Sequence, residues 1–399
     1  MEENARKTAK DRELKLLAQA YRETPEFFRR DTIIEDSKFL EEFGIYIENK
    51  DRLPMGYIKL WPQDFIVEEI SPDGTVFSVD PREGRPPEPL ADYRTVYATA
   101  VKCELSTIEL AEELSKSLGI DKKQIQFAGI KDKDAITAQQ ISFRGVPWEN
   151  VRDISSPYFF LKDLVLGKGV SERGGLRGNK FTIFVRTQGN TDEDIWSSAL
   201  ERVKKDGFYN FYYLQRFGTP RLVNFHWGFL LLRGDYEGTI ESFLTLASSR
   251  ELPYFQSLRA NIKNVWGDWK KIKEILDPFP IIFQNELRVI EYLVQNPEDF
   301  RGALLRISEQ ITLWVYAFSS WLFNYKISSF LQKKEAVPEV LPLIMSRDAK
   351  DWERYQGMLE KLELFPISFE NIKPFPGIQM KKNLIKTRVR PVLHQSKIE

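Results

Sequence analysis

The chain has 399 residues, more than one compact core usually holds, so two or more domains are expected. Apolar residues make up 42% and the formal net charge is zero, an ordinary globular balance that argues weakly against nucleic acid as a partner. The lone Cys103 excludes an intrachain disulfide, and with only His226 and His394 beside it a zinc site would need carboxylates almost throughout. Neither histidine has a nucleophile-like setting, so general acid–base work falls to Asp, Glu, Lys or Tyr. A reducing cytoplasm is the expected compartment. Residues 2–11 are charged and carry no signal-like apolar segment. The run 311–325 is too short for a bilayer and holds Thr312, Ser319 and Ser320.

Residues 1–36 read as a helical extension, with Leu14, Leu17, Ala18 and Tyr21 at helical spacing and Pro25 ending the pattern. Strands are predicted over 65–70 and 75–79, joined by the turn Ser71-Pro72-Asp73-Gly74. Residues 81–92, with four prolines among charges, read as a loop, and 93–102 as a long strand. Ser106-Thr107-Ile108-Glu109 is a capping box that starts a helix, and Gly119 is its stop. Short strands follow at 124–128, 136–144 and 180–187, with a loop at 129–135. Beyond Arg216 the chain turns helical and aromatic, with helices predicted over 238–248, 266–276, 285–294 and 307–331. Basic residues gather between Lys162 and Arg186 and again after Lys373; they read either as phosphate-docking faces or as solvated surface, and charge alone favours the second. Gly167-Lys168-Gly169 is a loop fragment, not a phosphate-binding fingerprint.

Four motifs go further. Phe127-Ala128-Gly129-Ile130-Lys131-Asp132-Lys133-Asp134-Ala135 continues into Ile136-Thr137-Ala138-Gln139. Lys59 stands ahead of Pro62-Gln63-Asp64-Phe65. Gly178-Asn179-Lys180-Phe181-Thr182 forms a third, and Asn210-Phe211-Tyr212-Tyr213-Leu214-Gln215-Arg216-Phe217-Gly218 a fourth. Taken alone, Lys131-Asp132-Lys133-Asp134 is a solvated charged turn and Phe65 or Phe181 a strand-core phenylalanine. Together, the four resemble the TruD family of pseudouridine synthases in its longer archaeal and eukaryotic form, from about Phe43 to the end of the chain.

That resemblance implies the fold and the chemistry. The fold would be α/β (α+β): a pseudouridine synthase catalytic domain with a mixed, mainly antiparallel sheet, plus a largely helical TruD insertion domain. The implied division is an extension over 1–42, a catalytic domain over 43–218, the insertion over 219–382 and a return to the catalytic domain over 383–399, with RNA in the cleft between domains. Asp132 takes the place of the catalytic aspartate and Lys59 that of the lysine beside it. Phe181 would stack on the flipped uracil, Asn179 would orient the loop, Phe65 would pack beneath the site, and Lys131 would join the substrate-binding set. Two roles stay open for Arg216: phosphate contact or contact with the catalytic loop. Asp134 is expected to be an ordinary loop residue and Glu69 structural. No cofactor or metal is implied. The partner is tRNA or another structured RNA, acted on by a monomer.

Two departures stand out. Tyr213 replaces the first glycine of the fourth motif, and after Arg388-Val389-Arg390-Pro391-Val392-Leu393, which reads as the start of further catalytic-sheet strands, the sequence ends at Glu399. A C-terminus truncated relative to the family is therefore expected, leaving a strand edge unpaired or capped in another way. Ser319-Ser320-Trp321-Leu322-Phe323-Asn324 is a weaker likeness, read as helix core with Phe318, Leu322 and Tyr325 on one face, and Asp235 reads as a helix cap. The competing readings are a catalytically inactive RNA-binding protein on the same scaffold and a glycosidase using Asp132 and Glu69.

Overall fold

A computed structural model of the chain describes residues 2–31, 33–47, 56–81, 86–187, 193–345, 349–378 and 383–389. Contacts divide the chain into two units, Arg52–Trp196 and a second formed by Met1–Asp51 with Ser197–Glu399.

The first unit is built on a sheet. Its strands are β1 (Gly56–Tyr57), β2 (Phe65–Ile70), β3 (Thr95–Cys103), β4 (Ile125–Phe127), β5 (Ile136–Arg144), β6 (Ser155–Ser156), β7 (Phe159–Gly167), β8 (Gly178–Ile183) and β9 (Arg186–Thr187). The main sheet runs β6-β7-β3-β5-β2-β8, with β4 also on β5, and β1 pairs β9 separately. Only β2 and β5 pair in parallel, so the sheet is mixed and mainly antiparallel. The central strands β3 and β5 are rich in β-branched and small residues and are covered on both faces.

Directly paired residues share a face. Val96 faces Phe143, Ala98 faces Ile141, Ala100 faces Gln139, and Lys102 faces Thr137. This face therefore grades from apolar to polar along the strands. The Thr107–Leu118 helix covers its apolar part with Leu110, Ala111 and Leu114. Ser106 and Glu109 close the expected capping box, and Gly119 ends the helix at φ +65°, a left-handed conformation that costs glycine little. The polar end is where the 129–135 loop lies.

Two strand predictions differ from the structure, and one long strand was not predicted. Residues 75–79 form no strand: Val76 makes one bridge to Ile70, and the Val79 N–H donates to the Glu68 carboxylate instead of a ladder. The predicted 180–187 strand is two pieces: β8 pairs with β2, the Phe184 N–H makes one further bond to the Asp64 carbonyl, and β9 pairs with β1 instead. Strand β7 was not expected, since Lys162-Asp163 interrupts its apolar run; Lys162 is nevertheless buried, its ammonium on the Asp80 carbonyl.

The second unit is helical. The long Ser308–Gln332 helix packs on Asn224–Arg233, where a Cβ at Gly228 would collide with the Trp314 carbonyl. Around them lie Tyr236–Thr245, Pro253–Asn264, Trp269–Leu276, Gln284–Gln295 and Phe300–Leu305. Asp235 accepts from the Gly238 N–H, capping the helix as expected. Phe318 and Leu322 are core, but Tyr325 is 44% exposed, so the expected apolar face stops short of it. Asn324 is fully buried: its amide donates to the Phe43 and Tyr212 carbonyls and accepts from the Tyr212 N–H. Glu2–Glu23 is the expected N-terminal helix, and its buried Glu13 accepts from the Ile281 N–H. Arg388–Val389 pair with Phe208–Tyr209 in this unit, and residues 390–399, which carry most of the expected return, lie outside the described residues.

Candidate active site

The 129–135 loop leaves β4 and enters β5, and buried groups hold its backbone at several points. The Gln139 amide donates to the Gly129 carbonyl at 3.0 Å. The Thr107 hydroxyl accepts from the Lys131 N–H at 2.9 Å and donates to Gln139 Oε1 at 2.9 Å. Lys102 Nζ donates to the Asp132 carbonyl at 2.7 Å. Lys131 Nζ meets Glu69 Oε2 at 2.5 Å, with side-chain exposures of only 5% and 2%. Glu69 Oε1 also accepts from the Gln140 N–H, which ties β2 to β5 beside the loop.

With the backbone so fixed, the Asp132 carboxylate points outward, its side chain 44% exposed, with Lys59 Nζ 3.3 Å from Oδ2. Lys59 has a left-handed backbone, φ +61°, which is strained for a residue with a Cβ and must be held by its surroundings. Two contacts do so. Its ammonium lies 4.0 Å from the centroid of the Phe65 ring, a cation–π contact. The Pro62–Asp64 turn that follows is anchored by the fully buried Asp64, which accepts from the Trp61 N–H and takes both Nε and Nη2 of Arg186 at 2.8 and 2.7 Å. The Arg186 guanidinium holds the Asp64 carboxyl below the usual carboxylate range.

Phe181 lies on the same sheet face. Val67 pairs with both Thr137 and Phe181, so one row runs Lys102, Thr137, Val67, Phe181 across four strands. Phe65 is buried with Val67 and Ala135, and Phe181 meets it edge-on at 5.8 Å while remaining 53% exposed. Asn179 is exposed and opposite Glu69. Asp134 is an exposed loop residue. The structure thus gathers Asp132, Lys59, Phe65, Phe181 and Asn179 in one unit, with Lys131 beside them but turned inward. Lys131 does not present its ammonium outward for a substrate: Glu69 holds it in the interior. Arg216 belongs to the other unit, where its guanidinium lies 4.9 Å from the centroid of the Tyr212 ring.

Sequence reading missed Lys102 and Thr107. The alternation of 95–103 puts Lys102 on the inward face with Val96, Ala98 and Ala100, a lysine where an apolar residue belongs, and that was the available signal. Burial pulls its ammonium down to about 8, and the nearby Asp132 charge opposes the shift. Among the described residues no group of three His, Cys, Asp or Glu is placed to hold a metal ion, and no helix is long and apolar enough to cross a membrane.

Comparison with known proteins fits this geometry. The chain resembles in fold a crystal structure from Methanosarcina mazei that carries the name tRNA pseudouridine synthase D (TruD), with a TM-score of 0.70, 22% identity and 90% of each chain covered. The shared architecture is an α/β one with a mixed sheet and many helices. The sequence model of the family "tRNA pseudouridine synthase D (TruD)" matches residues 43–356. "Probable tRNA pseudouridine synthase D" of Pyrobaculum neutrophilum is 31% identical over 306 residues, 75% of this chain and 70% of that protein. "Probable tRNA pseudouridine synthase D 1" of Methanocaldococcus jannaschii is 28% identical over 269 residues, 67% of each. The family match and these relatives define an isomerase of the RNA pseudouridine synthase class. The chain belongs to the TruD family.

Proposed function

We propose that this chain converts a uridine of tRNA, position 13 being the one the resemblance implies, to pseudouridine, with Asp132 as the catalytic carboxylate. The observation that carries the reading is the outward Asp132 carboxylate, fixed by its backbone and paired at 3.3 Å with Lys59, on the sheet face that exposes Phe181. The reaction breaks the N1–C1′ bond, turns the base and joins C5 to C1′. N1 gains a proton and C5 loses one, so no atom is added or lost overall. Asp132 serves either by attacking C1′ to form an ester or by taking the C2′ proton to form a glycal. Lys59 holds the carboxylate in its aim, and Phe181 stacks on the uracil once it has left the helix, a contact worth roughly 1–3 kcal/mol. Lys131, Glu69, Lys102 and Thr107 position the loop and do not touch the base. The domain division 1–42, 43–218, 219–382 and 383–399, a monomeric state, a cytoplasmic site of action and work without metal or cofactor belong to the same proposal.

The test is incubation of the purified chain with unmodified tRNA transcripts, followed by carbodiimide adduct formation and primer extension. A stop at one uridine, present only with enzyme, is expected. RNA affinity with no stop at any uridine would favour a binding protein on the same scaffold. Lys59→Ala is expected to lower turnover by about 10²-fold or more with RNA affinity within a few-fold, because it removes a group that orients the reacting carboxylate. An unchanged single-turnover rate would take Lys59 out of the site.

A further inference from the structure

The second unit carries a cavity of about 720 Å³ bounded in part by the Arg216 motif. Its rim is polar and open: Arg216, Gln215 and Thr219 are exposed there. Its floor is different. Trp227 and Arg221 are buried, with the guanidinium 4.6 Å from the centroid of the indole ring. Arg221 is held by the Phe243 carbonyl at 2.9 Å and by Glu251 at 3.5 Å, so its charge is already committed to the protein. Glu286 also lines the cavity, 7% exposed, with Oε1 3.5 Å from Arg259 Nη2. That distance is long for a charge-assisted hydrogen bond, and Arg259 makes its shorter contacts to Glu251 at 2.9 Å. Half-buried Asn285 and Gln310 lie on the same lining, from the first turns of the Gln284–Gln295 and Ser308–Gln332 helices.

An aromatic floor, a carboxylate bound loosely by its cation, two amides and an arginine at the mouth suit one class of ligand. A planar heterocycle fits the apolar surface, the amides and carboxylate read its edge, and the arginine meets a phosphate. Among the four RNA bases, guanine alone presents two adjacent N–H donors, N1–H and N2–H, on its Watson–Crick edge. A carboxylate accepts both.

We propose that this cavity binds an unpaired guanine nucleotide of the RNA, with Glu286 accepting from the base edge, Asn285 and Gln310 flanking it, and Arg216 meeting the backbone phosphate. This deepens the reading of the chain as an RNA-modifying enzyme and rests on it. It gives Arg216 a phosphate role, one of the two roles its motif left open. It also makes the second unit a reader of unpaired sequence, in the manner of proteins that recognise splayed RNA bases.

The experiment uses the full chain and fluorescein-labelled pentaribonucleotides of adenosine whose central residue is guanosine, inosine or adenosine, read by anisotropy. Inosine keeps N1–H and loses the N2 amine. The guanosine oligomer is expected to bind about tenfold tighter than either of the others. Glu286→Gln is expected to remove that preference, and Arg216→Ala to weaken all three oligomers alike. Glu286 adjoins buried arginines, so Asn285→Ala and Gln310→Ala, which lie outside that network, serve as second variants and are each expected to reduce the preference at least threefold. Equal affinity for the three oligomers, or a preference untouched in all three of these cavity variants, overturns the proposal. Because anisotropy needs no turnover, the outcomes separate. Pseudouridine formation without guanine preference sinks the cavity assignment and spares the enzyme reading, and the reverse result does the opposite.

Discussion

Asp132→Asn is expected to abolish pseudouridine formation and to leave RNA affinity within a few-fold. The substitution keeps the side chain's shape and removes its charge. Nothing that positions the loop is touched: the Asp132 carbonyl still accepts from Lys102, the Lys131 N–H still donates to Thr107, and Gln139 still holds Gly129. The chemistry is lost because an amide neither attacks C1′ nor takes a proton from C2′. The ion pair with Lys59 is lost as well, but it is partly exposed, with side-chain exposures of 31% and 44%, so its contribution to stability is small. Single-turnover assays with unmodified tRNA, paired with equilibrium binding of the same transcript, check the two halves separately. A variant that still turns over would move the catalytic role to another group. A variant that folds but no longer binds would mean that the carboxylate recognises RNA and does not transform it.

Much of this site could be read from the sequence because its parts are local. The capping box, the Gly119 stop, strands β2 and β5 and the loop between β4 and β5 each follow from a few adjacent residues, and the structure places them within a few residues of where they were read. The pairing of Lys59 with Asp132, 73 positions apart, was reached only through the family resemblance, and no periodicity pointed to it. What escaped was long-range. Lys131 looks like a surface lysine in a charged tetrapeptide, and only the placing of β2 beside β5 brings Glu69 to it and makes it interior. Lys162 disguised β7 in the same way, since its burial depends on the Asp80 carbonyl from a distant loop. Residues 75–79 were misread for the opposite reason. Their composition suits a strand, but Glu68 takes the Val79 N–H that a ladder would need.

Glu69→Gln is expected to destabilise the Arg52–Trp196 unit by about 3–5 kcal/mol, the usual cost of removing one partner from a buried ion pair. Lys131 would then keep its ammonium in the interior, facing a neutral amide where a carboxylate stood at 2.5 Å. The Gln140 N–H would still have an acceptor, because the glutamine carbonyl can take the place of Glu69 Oε1. The loss therefore belongs to the unpaired charge and not to a broken strand contact. Lys131→Met should cost less, because the carboxylate it strands retains the Gln140 N–H. The double variant Glu69→Leu/Lys131→Met should recover most of the Glu69→Gln loss, since apolar groups of similar volume replace a buried pair at little net cost; what remains is the Gln140 N–H, which loses its acceptor. Urea unfolding of the four proteins, followed by near-ultraviolet circular dichroism, gives the order. A Glu69→Gln loss below about 1 kcal/mol would show that Lys131 reaches water in solution. Single-turnover rates then separate fold from function. The double variant should regain stability without regaining full activity, because the pair fixes the residue next to Asp132 in a geometry that Leu and Met pack around but do not impose.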